Sequence, residues 1–176
     1  MDNSIKKKIE FYCAYQERCK MEVAQKLKKL GVFGDDLDDY IHHLTDNNFL
    51  NEQRFTECYV RGKFNNNNWG RKKIVRELES RRISMVNINK GISEINEEDY
   101  LKKIRVLARK IIDENNSLPK EKIKEKVYNR LEYKGWEKEL IFSAINALNQ
   151  LIRLHYYYSS LQFQNLSPTK FLCLKH

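Results

Sequence analysis

The chain has 176 residues and carries 33 Lys and Arg against 24 Asp and Glu, which gives a formal net charge of +9. Six Gly and two Pro are too few for a turn-rich all-β fold, and no run of about 18 apolar residues is present to span a membrane. Four cysteines without C-x-x-C spacing, and a start without the apolar segment of a secretory signal, indicate a reducing, cytoplasmic setting.

The predicted elements begin with an N-terminal helix in residues 1–17, where apolar residues recur at helical spacing. Three helical units are expected to follow, at residues 18–64, 69–114 and 118–155. A tail at residues 156–176 has little charge and no clear period. It could continue the last helix, replace the third helix of the last unit, or be disordered.

The three units share a pattern of six apolar positions that recurs at offsets of 51 and then 53 residues. A period of this length is typical of repeated helical units. We therefore predict an all-α fold, an elongated tandem array of three three-helix, helix-turn-helix-like repeats after an N-terminal helix. Such arrays usually present long binding surfaces rather than catalytic pockets. The positions are Val23, Leu27, Val32, Leu37, Ile41 and Leu44; Ile74, Leu78, Ile83, Ile88, Ile92 and Ile95; and Val127, Leu131, Trp136, Ile141, Ile145 and Leu148.

The spacing within a unit predicts where its helices end. The first two positions are four residues apart, on one helical face, and the later ones are spaced four and three, as in a second amphipathic helix. Gly31 and Gly135 stand where the first helix needs a left-handed residue to end. Arg82 takes this place in the second unit, so that helix must end differently or accept an unfavourable positive φ.

No arrangement of residues predicts catalysis or a resident metal or cofactor. The acidic cluster at residues 35–39 suits the positive N-terminal end of a helix better than a calcium loop, which needs alternating ligands and a closing Glu. His42 and His43 lack metal-ligand spacing, and at least one of them should face solvent. No glycine-rich phosphate loop or nucleophile elbow is present, so we expect a protein that is not an enzyme and needs no cofactor.

Positive charge is concentrated in two regions. Residues 1–47 carry a net charge of −1, whereas residues 61–82 and residues 102–134 each carry +6. This distribution favours a polyanion or an acidic partner over a merely solvated helical surface. The candidate partner- or nucleic-acid-binding residues are Arg61, Lys63, Trp69, Arg71, Lys72, Lys73, Arg76, Arg81, Arg82, Lys124, Lys126, Arg130 and Lys134.

These candidates are predicted to form basic faces along one side of the array. Because Ile74 and Leu78 should face the core, Lys72, Lys73 and Arg76 should point away from it, with Arg71 at the edge. Trp69 has two open interpretations: it anchors the binding surface or fills the junction between units.

Three stretches resemble a known family. They are Phe49-Leu50-Asn51-Glu52-Gln53-Arg54-Phe55, the segment Trp69–Leu78 with Gly-Arg-x-x-Ile-x-x-Glu-Leu within it, and Arg18–Gly31 with its Glu-Val-x-x-Lys-Leu core. Together they resemble the RecX family of regulators of the bacterial recombinase RecA, and the resemblance spans roughly residues 5–150.

The resemblance implies a cytoplasmic modulator of RecA that acts in DNA repair, recombination and the SOS response. Such a protein would lodge in the groove of the RecA–single-strand DNA filament, inhibit its ATPase and strand exchange, and bind DNA itself. We expect a monomer. The alternatives are a helical DNA-binding regulator that acts directly on nucleic acid and a scaffold for another partner. The Lys-rich surface along several helices favours backbone or protein contacts over the base contacts of a recognition helix.

Overall fold

The structure, a computed structural model, describes residues 1–147. This part of the chain is helical and contains no strand. A further helix begins at residue 138 and continues to residue 147. Residues 148–176, which include the predicted core position Leu148 and the predicted tail at 156–176, lie outside the described residues. The complete helices are α1 (Asn3–Tyr15), α2 (Lys20–Lys29), α3 (Asp35–Asp46), α4 (Glu52–Asn65), α5 (Arg71–Ser80), α6 (Met85–Ser93), α7 (Glu97–Asp113) and α8 (Lys120–Tyr133).

The prediction of an all-α fold with three-helix units is confirmed. The chain forms two compact units. Unit 1 comprises Met1–Tyr100 together with Tyr133–Glu137, and among the described residues unit 2 comprises Leu101–Glu132 together with residues 138–147. The bounds proposed for the three repeats remain a prediction.

The repeated apolar positions form the core, as the pattern predicts. Of the 17 that the structure describes, Leu37 and Ile92 are half-buried and the others are buried. In the first repeat, Ile9 and Cys13 of α1 join this set in one apolar cluster. The predicted N-terminal helix is therefore packed against the first repeat.

The three left-handed turns also follow the predicted pattern. Gly31 and Gly135 have φ values of +86° and +82°, and Arg82 adopts the same conformation with a φ of +58°. The first helix of each of the first two repeats ends with an equivalent backbone hydrogen bond. The Val32 N–H donates to the Leu27 carbonyl, and the Ile83 N–H donates to the Leu78 carbonyl. The second helix therefore ends in the same way as the first, at the conformational cost of a positive φ without glycine.

The start of α3 and the exposure of one of the two adjacent histidines agree with the sequence as well. Asp35, Asp36 and Asp38 lie in the first turn of α3, where their charge is favourable. Asn96 caps α7 by accepting the N–H of Asp99 at 3.1 Å. His42 is exposed, whereas His43 contacts Glu10 of α1 at 2.6 Å and so ties α3 to α1.

Candidate partner-binding surface

Helix α5 presents the basic residues that the sequence singled out. Ile74 and Leu78 are fully buried, so the helix has one fixed inward face. Lys72 and Arg76 lie on the other side and are exposed, which confirms their predicted orientation. Lys73 is half-buried, because its side chain runs along neighbouring aromatic rings.

Trp69 lies just before α5 and is covered by cations. The ammonium nitrogens of Lys63 and Lys73 lie 4.9 and 4.7 Å from the Trp69 ring centroid. The ring is half-buried, and Trp136 rather than Trp69 fills the interior, with 1% of its surface exposed. The contacts of Trp69 therefore resemble a surface anchor more than an internal plug.

Two predicted binding residues are held by ion pairs inside unit 1. The Arg71 guanidinium donates to Glu97 at 2.7 Å and lies 4.0 Å from the Tyr100 ring centroid, and Arg81 donates to Glu77 at 3.0 Å. Arg71 thus has a structural role that charge counting cannot reveal. These two arginines are less available to a partner than Lys72 or Arg76.

The remaining candidates of unit 1 vary in availability. Arg61 is exposed at the end of α4, and Arg82 is exposed in its left-handed turn. The Lys134 ammonium donates to the backbone carbonyl of Asn67 at 2.8 Å. Among the residues that the structure describes, neither Arg61 nor Arg82 forms an ion pair.

The third basic group belongs to unit 2. Lys124, Lys126 and Arg130 are exposed on α8. Arg130 pairs with Glu114 at 2.7 Å, and Lys126 donates to the Asn115 side chain at 2.8 Å. The expectation that this group and the α5 group line one side of the array remains a prediction.

Sequence reasoning missed the backbone contact that builds this surface. The Gly70 N–H donates to the Lys134 carbonyl at 2.9 Å, and the Lys72 N–H donates to the Gly135 carbonyl at 3.2 Å. The Trp136 indole N–H donates to the Asn68 carbonyl at 3.2 Å. The segment Tyr133–Glu137 is thereby fastened to the start of α5.

The contact brings a new aromatic residue to the basic surface. The Lys73 ammonium lies 4.3 Å from the ring centroid of Tyr133, a residue that is 77% exposed. The sequence offered one signal for Tyr133: an aromatic residue that directly precedes the Lys134-Gly135 turn at the end of a helix. Nothing in the spacing indicates that it would meet α5, which is 60 residues earlier in the chain.

An aromatic cluster anchors the same contact from inside. Tyr100 stacks on Trp136 with ring centroids 4.4 Å apart, and both rings contact Phe64. The Tyr100 hydroxyl accepts the Arg71 backbone N–H at 2.9 Å and donates to the Glu137 carboxylate at 2.7 Å. Burial raises the pKa of Tyr100 far above its usual value of 10, which keeps the hydroxyl protonated as a donor.

The hydrogen bonds at α5 also limit what its N-terminus can bind. The first N–H groups of a helix often bind phosphate. Here the N–H groups of Gly70, Arg71 and Lys72 already donate to Lys134, Tyr100 and Gly135. Positive charge on this surface is therefore supplied by side chains rather than by the helix terminus.

A groove beside Tyr59 offers polar groups but no recognisable catalytic set. It has a volume of about 480 Å³, and its lining includes Glu17, Glu22, exposed Cys58 and Arg81, with no histidine. Within residues 1–147, no group of three or more His, Cys, Asp or Glu side chains is placed to hold a metal ion. No helix in that same range is both long and apolar enough to cross a bilayer.

Comparison with known proteins finds similarity to one group of regulatory proteins. The model of the second three-helix domain of RecX matches residues 51–94. The chain is 27% identical over 141 residues to the regulatory protein RecX of Listeria welshimeri and 26% identical over 137 residues to that of Bacillus subtilis. These matches cover 80% and 78% of this chain and 52% of each relative, so the chain spans about half the length of the curated relatives it matches.

Solved structures show the same fold. The crystal structure of RecX from Lactobacillus salivarius superposes with a TM-score of 0.72 at 24% identity, over 82% of this chain and 94% of that one. A second crystal structure of a regulatory protein RecX has a TM-score of 0.71 at 19% identity, over 80% and 73% of the two chains. The class is thus an all-helical protein of three-helix units. Over most of its length the chain is similar to RecX proteins, and these relatives are named as regulators rather than as enzymes.

Proposed function

We propose that this protein binds the RecA–single-strand DNA filament and modulates, mainly inhibits, RecA ATPase and strand exchange during DNA repair and recombination. It acts as a cytoplasmic monomer without a cofactor or catalytic site. The observation that supports binding is the run of residues 61–76, which contains six Lys or Arg and no Asp or Glu. Lys72 and Arg76 in this run are exposed and form no ion pair among the described residues.

A charge-reversal series tests the proposal. Changing Arg61, Lys72 and Arg76 together to Glu should weaken inhibition of the RecA ATPase on single-stranded DNA and flatten its salt dependence, because each lost cation removes one screened attraction. The matched control changes Lys7, Lys8 and Lys20 to Glu, three exposed residues of the near-neutral first region. Both variants change the net charge equally.

The control should inhibit RecA as well as the unchanged protein does. Equal loss in both variants would show that only net charge matters, and no loss in either would contradict the assigned surface. If the unchanged protein at saturation affects neither ATPase nor strand exchange, the proposed function is wrong. Sequence-specific duplex binding would instead favour a directly acting DNA-binding regulator, although the first turn of α5 is covered by Lys134 and Gly135.

A further inference from the structure

The aromatic residues of this surface are placed differently from those of the core. Trp69 and Tyr133 lie on either side of Lys73, whose ammonium is 4.7 Å from one ring centroid and 4.3 Å from the other. Lys63 approaches the Trp69 ring from α4 at 4.9 Å. Tyr133 has 77% of its surface exposed, whereas Tyr100 and Trp136 are fully buried close by. The Tyr133 ring therefore faces solvent, next to cations.

The backbone holds these groups in place before any partner arrives. The N–H groups of Gly70 and Lys72 donate to the carbonyls of Lys134 and Gly135, which come directly after Tyr133. The Lys73 ammonium also lies 3.4 Å from the carbonyl oxygen of Tyr133 itself. A partner would thus meet a pre-arranged ring and would lose little conformational entropy in ordering it.

The positive charge around the Tyr133 ring disfavours a partner that has no net charge. Residues 61–76 supply six cations and no carboxylate, and Lys72 is exposed beside Lys73. Three carboxylates near these groups already have partners: Glu97 pairs with Arg71, and Glu137 accepts the Tyr100 hydroxyl hydrogen bond. Glu132, which precedes Tyr133 in the chain, pairs with Lys138 at 3.4 Å. An anionic partner is therefore strongly favoured.

An exposed ring among unpaired ammonium groups has the chemistry of a single-strand binding surface. Unpaired bases stack on aromatic side chains, and lysines contact the phosphates between them. Paired bases in a duplex are already stacked on each other and offer no open face to such a ring. An acidic protein surface would satisfy the lysines but would give the exposed ring no comparable contact.

We propose that Tyr133, with Trp69, Lys63, Lys72 and Lys73, forms a stacking site for single-stranded nucleic acid. A base stacks on the Tyr133 ring, and the adjoining phosphates contact Lys72 and Lys73. This proposal deepens the proposed function, on which it rests, by assigning direct contact with the DNA strand rather than with RecA.

The test measures binding of a single-stranded DNA 20-mer that contains 2-aminopurine, without RecA. Tyr133→Leu keeps an apolar side chain but removes the ring, and it should lower affinity about tenfold with an unchanged salt slope. Tyr133→Trp keeps the ring and should bind like the unchanged protein. The quenching of 2-aminopurine that reports stacking should be lost only in Tyr133→Leu. Lys72→Ala should instead reduce the salt slope by about 0.7.

The outcomes separate this inference from the proposed function. Unchanged affinity and quenching in Tyr133→Leu would overturn the stacking site, as would equal affinity for duplex and single strand. If Tyr133→Leu abolishes RecA inhibition while binding the 20-mer normally, the surface contacts protein, and the inference is wrong although the proposed function stands. If the unchanged protein stacks the base but never affects RecA, the proposed function is wrong and the site stands. Circular dichroism melting shows whether each variant is folded.

Discussion

The carbonyl oxygen of Gly135 occupies the space that a side chain on Gly70 would need. A Cβ built on Gly70 would lie 2.3 Å from that oxygen, and a Cβ on Gly135 would lie 2.4 Å from the backbone nitrogen of Lys73. Two backbone segments therefore touch with no side chain between them. The exposed Tyr133 ring reaches the basic surface of α5 because of this contact.

Gly70→Ala should destabilise unit 1 by about 2–3 kcal/mol, because the obstructing atom is backbone and cannot swing aside. The φ of Gly70 is −79°, so the effect is steric and not conformational. Urea denaturation followed by circular dichroism measures it. The matched control is Gly62→Ala in α4, where a Cβ meets nothing within 4 Å. It should stabilise the helix by about 0.5–1 kcal/mol. Equal effects in the two variants would refute the close contact.

Tyr100→Phe should cost about 1–3 kcal/mol, since it leaves the Arg71 N–H and the Glu137 carboxylate without their partner in a buried place. Tyr40→Phe provides the comparison. Tyr40 is also buried but makes one hydrogen bond, to the Asp2 carbonyl at 3.1 Å. The loss at Tyr40 should be the smaller one in the same urea measurement. A larger loss at Tyr40 would show that the two hydrogen bonds of Tyr100 contribute little.

Arg82→Gly should stabilise the protein by about 0.5–1 kcal/mol. Glycine adopts the φ of +58° without strain, and the Arg82 side chain is exposed. Gly31→Ala is the opposite substitution, of glycine by a residue with a side chain, at the equivalent turn of the first repeat. Nothing lies within 4 Å of the added Cβ there. It should destabilise by about 1 kcal/mol through φ alone. Thermal melting of both variants checks the pair, and a fall in stability for Arg82→Gly would mean that its side chain contributes to the fold.

Glu52 should make stability depend on pH. Burial alone would raise the pKa of its carboxyl, but hydrogen bonds from the Ser84 N–H and the Asn87 amide outweigh burial and lower the pKa below 4.5. A lowered folded pKa means that the carboxylate stabilises the fold above pH 4.5 and loses this effect as the pH falls through the folded value. Glu52→Gln should therefore be less stable by about 1 kcal/mol at pH 7. The difference should vanish in acid, as urea titrations from pH 7 to pH 3 can measure, and a pH-independent difference would contradict this.

Thiol reactivity should single out Cys58. Burial raises the pKa of Cys13 to about 11 and also raises that of Cys19, so neither forms the reactive thiolate near neutral pH. Cys58 is exposed. In a Cys173→Ser background, which removes the cysteine outside the described residues, a chromogenic disulfide reagent at pH 8 should label one thiol quickly. Fast labelling that persists in Cys58→Ser would disprove the burial of the other two.

Much of the fold could be predicted because local spacing decides which side of a helix is buried. The apolar positions of α2 and α5, with their left-handed turns at Gly31 and Arg82, follow from helical periodicity and backbone sterics. The orientation of Lys72 and Arg76 follows from the same rule. These features depend on residues a few positions apart, so they can be predicted from the sequence alone.

The candidate site could be predicted only in part, because the pairing of charged side chains depends on tertiary packing. Net charge cannot distinguish Arg71, which pairs with Glu97, from Lys72, which is exposed and unpaired among the described residues. The distinction depends on where Glu97 and Tyr100 lie once α7 has packed. Trp136 was recognised as a core position, but its neighbours Tyr100 and Phe64 were not.

The sequence alone was enough to establish a helical repeat protein with two strongly basic regions, because apolar periodicity and charge counts are local properties. Its motifs were also enough to reveal the resemblance to RecX proteins. Folding in three dimensions determined which cations remain unpaired and which aromatic ring joins them. Tyr133 reaches Lys73 because Gly70 and Gly135 lack side chains, and the two residues are 60 positions apart in the chain. No periodicity encodes such a contact, since it depends on tertiary packing and not on neighbours along the chain.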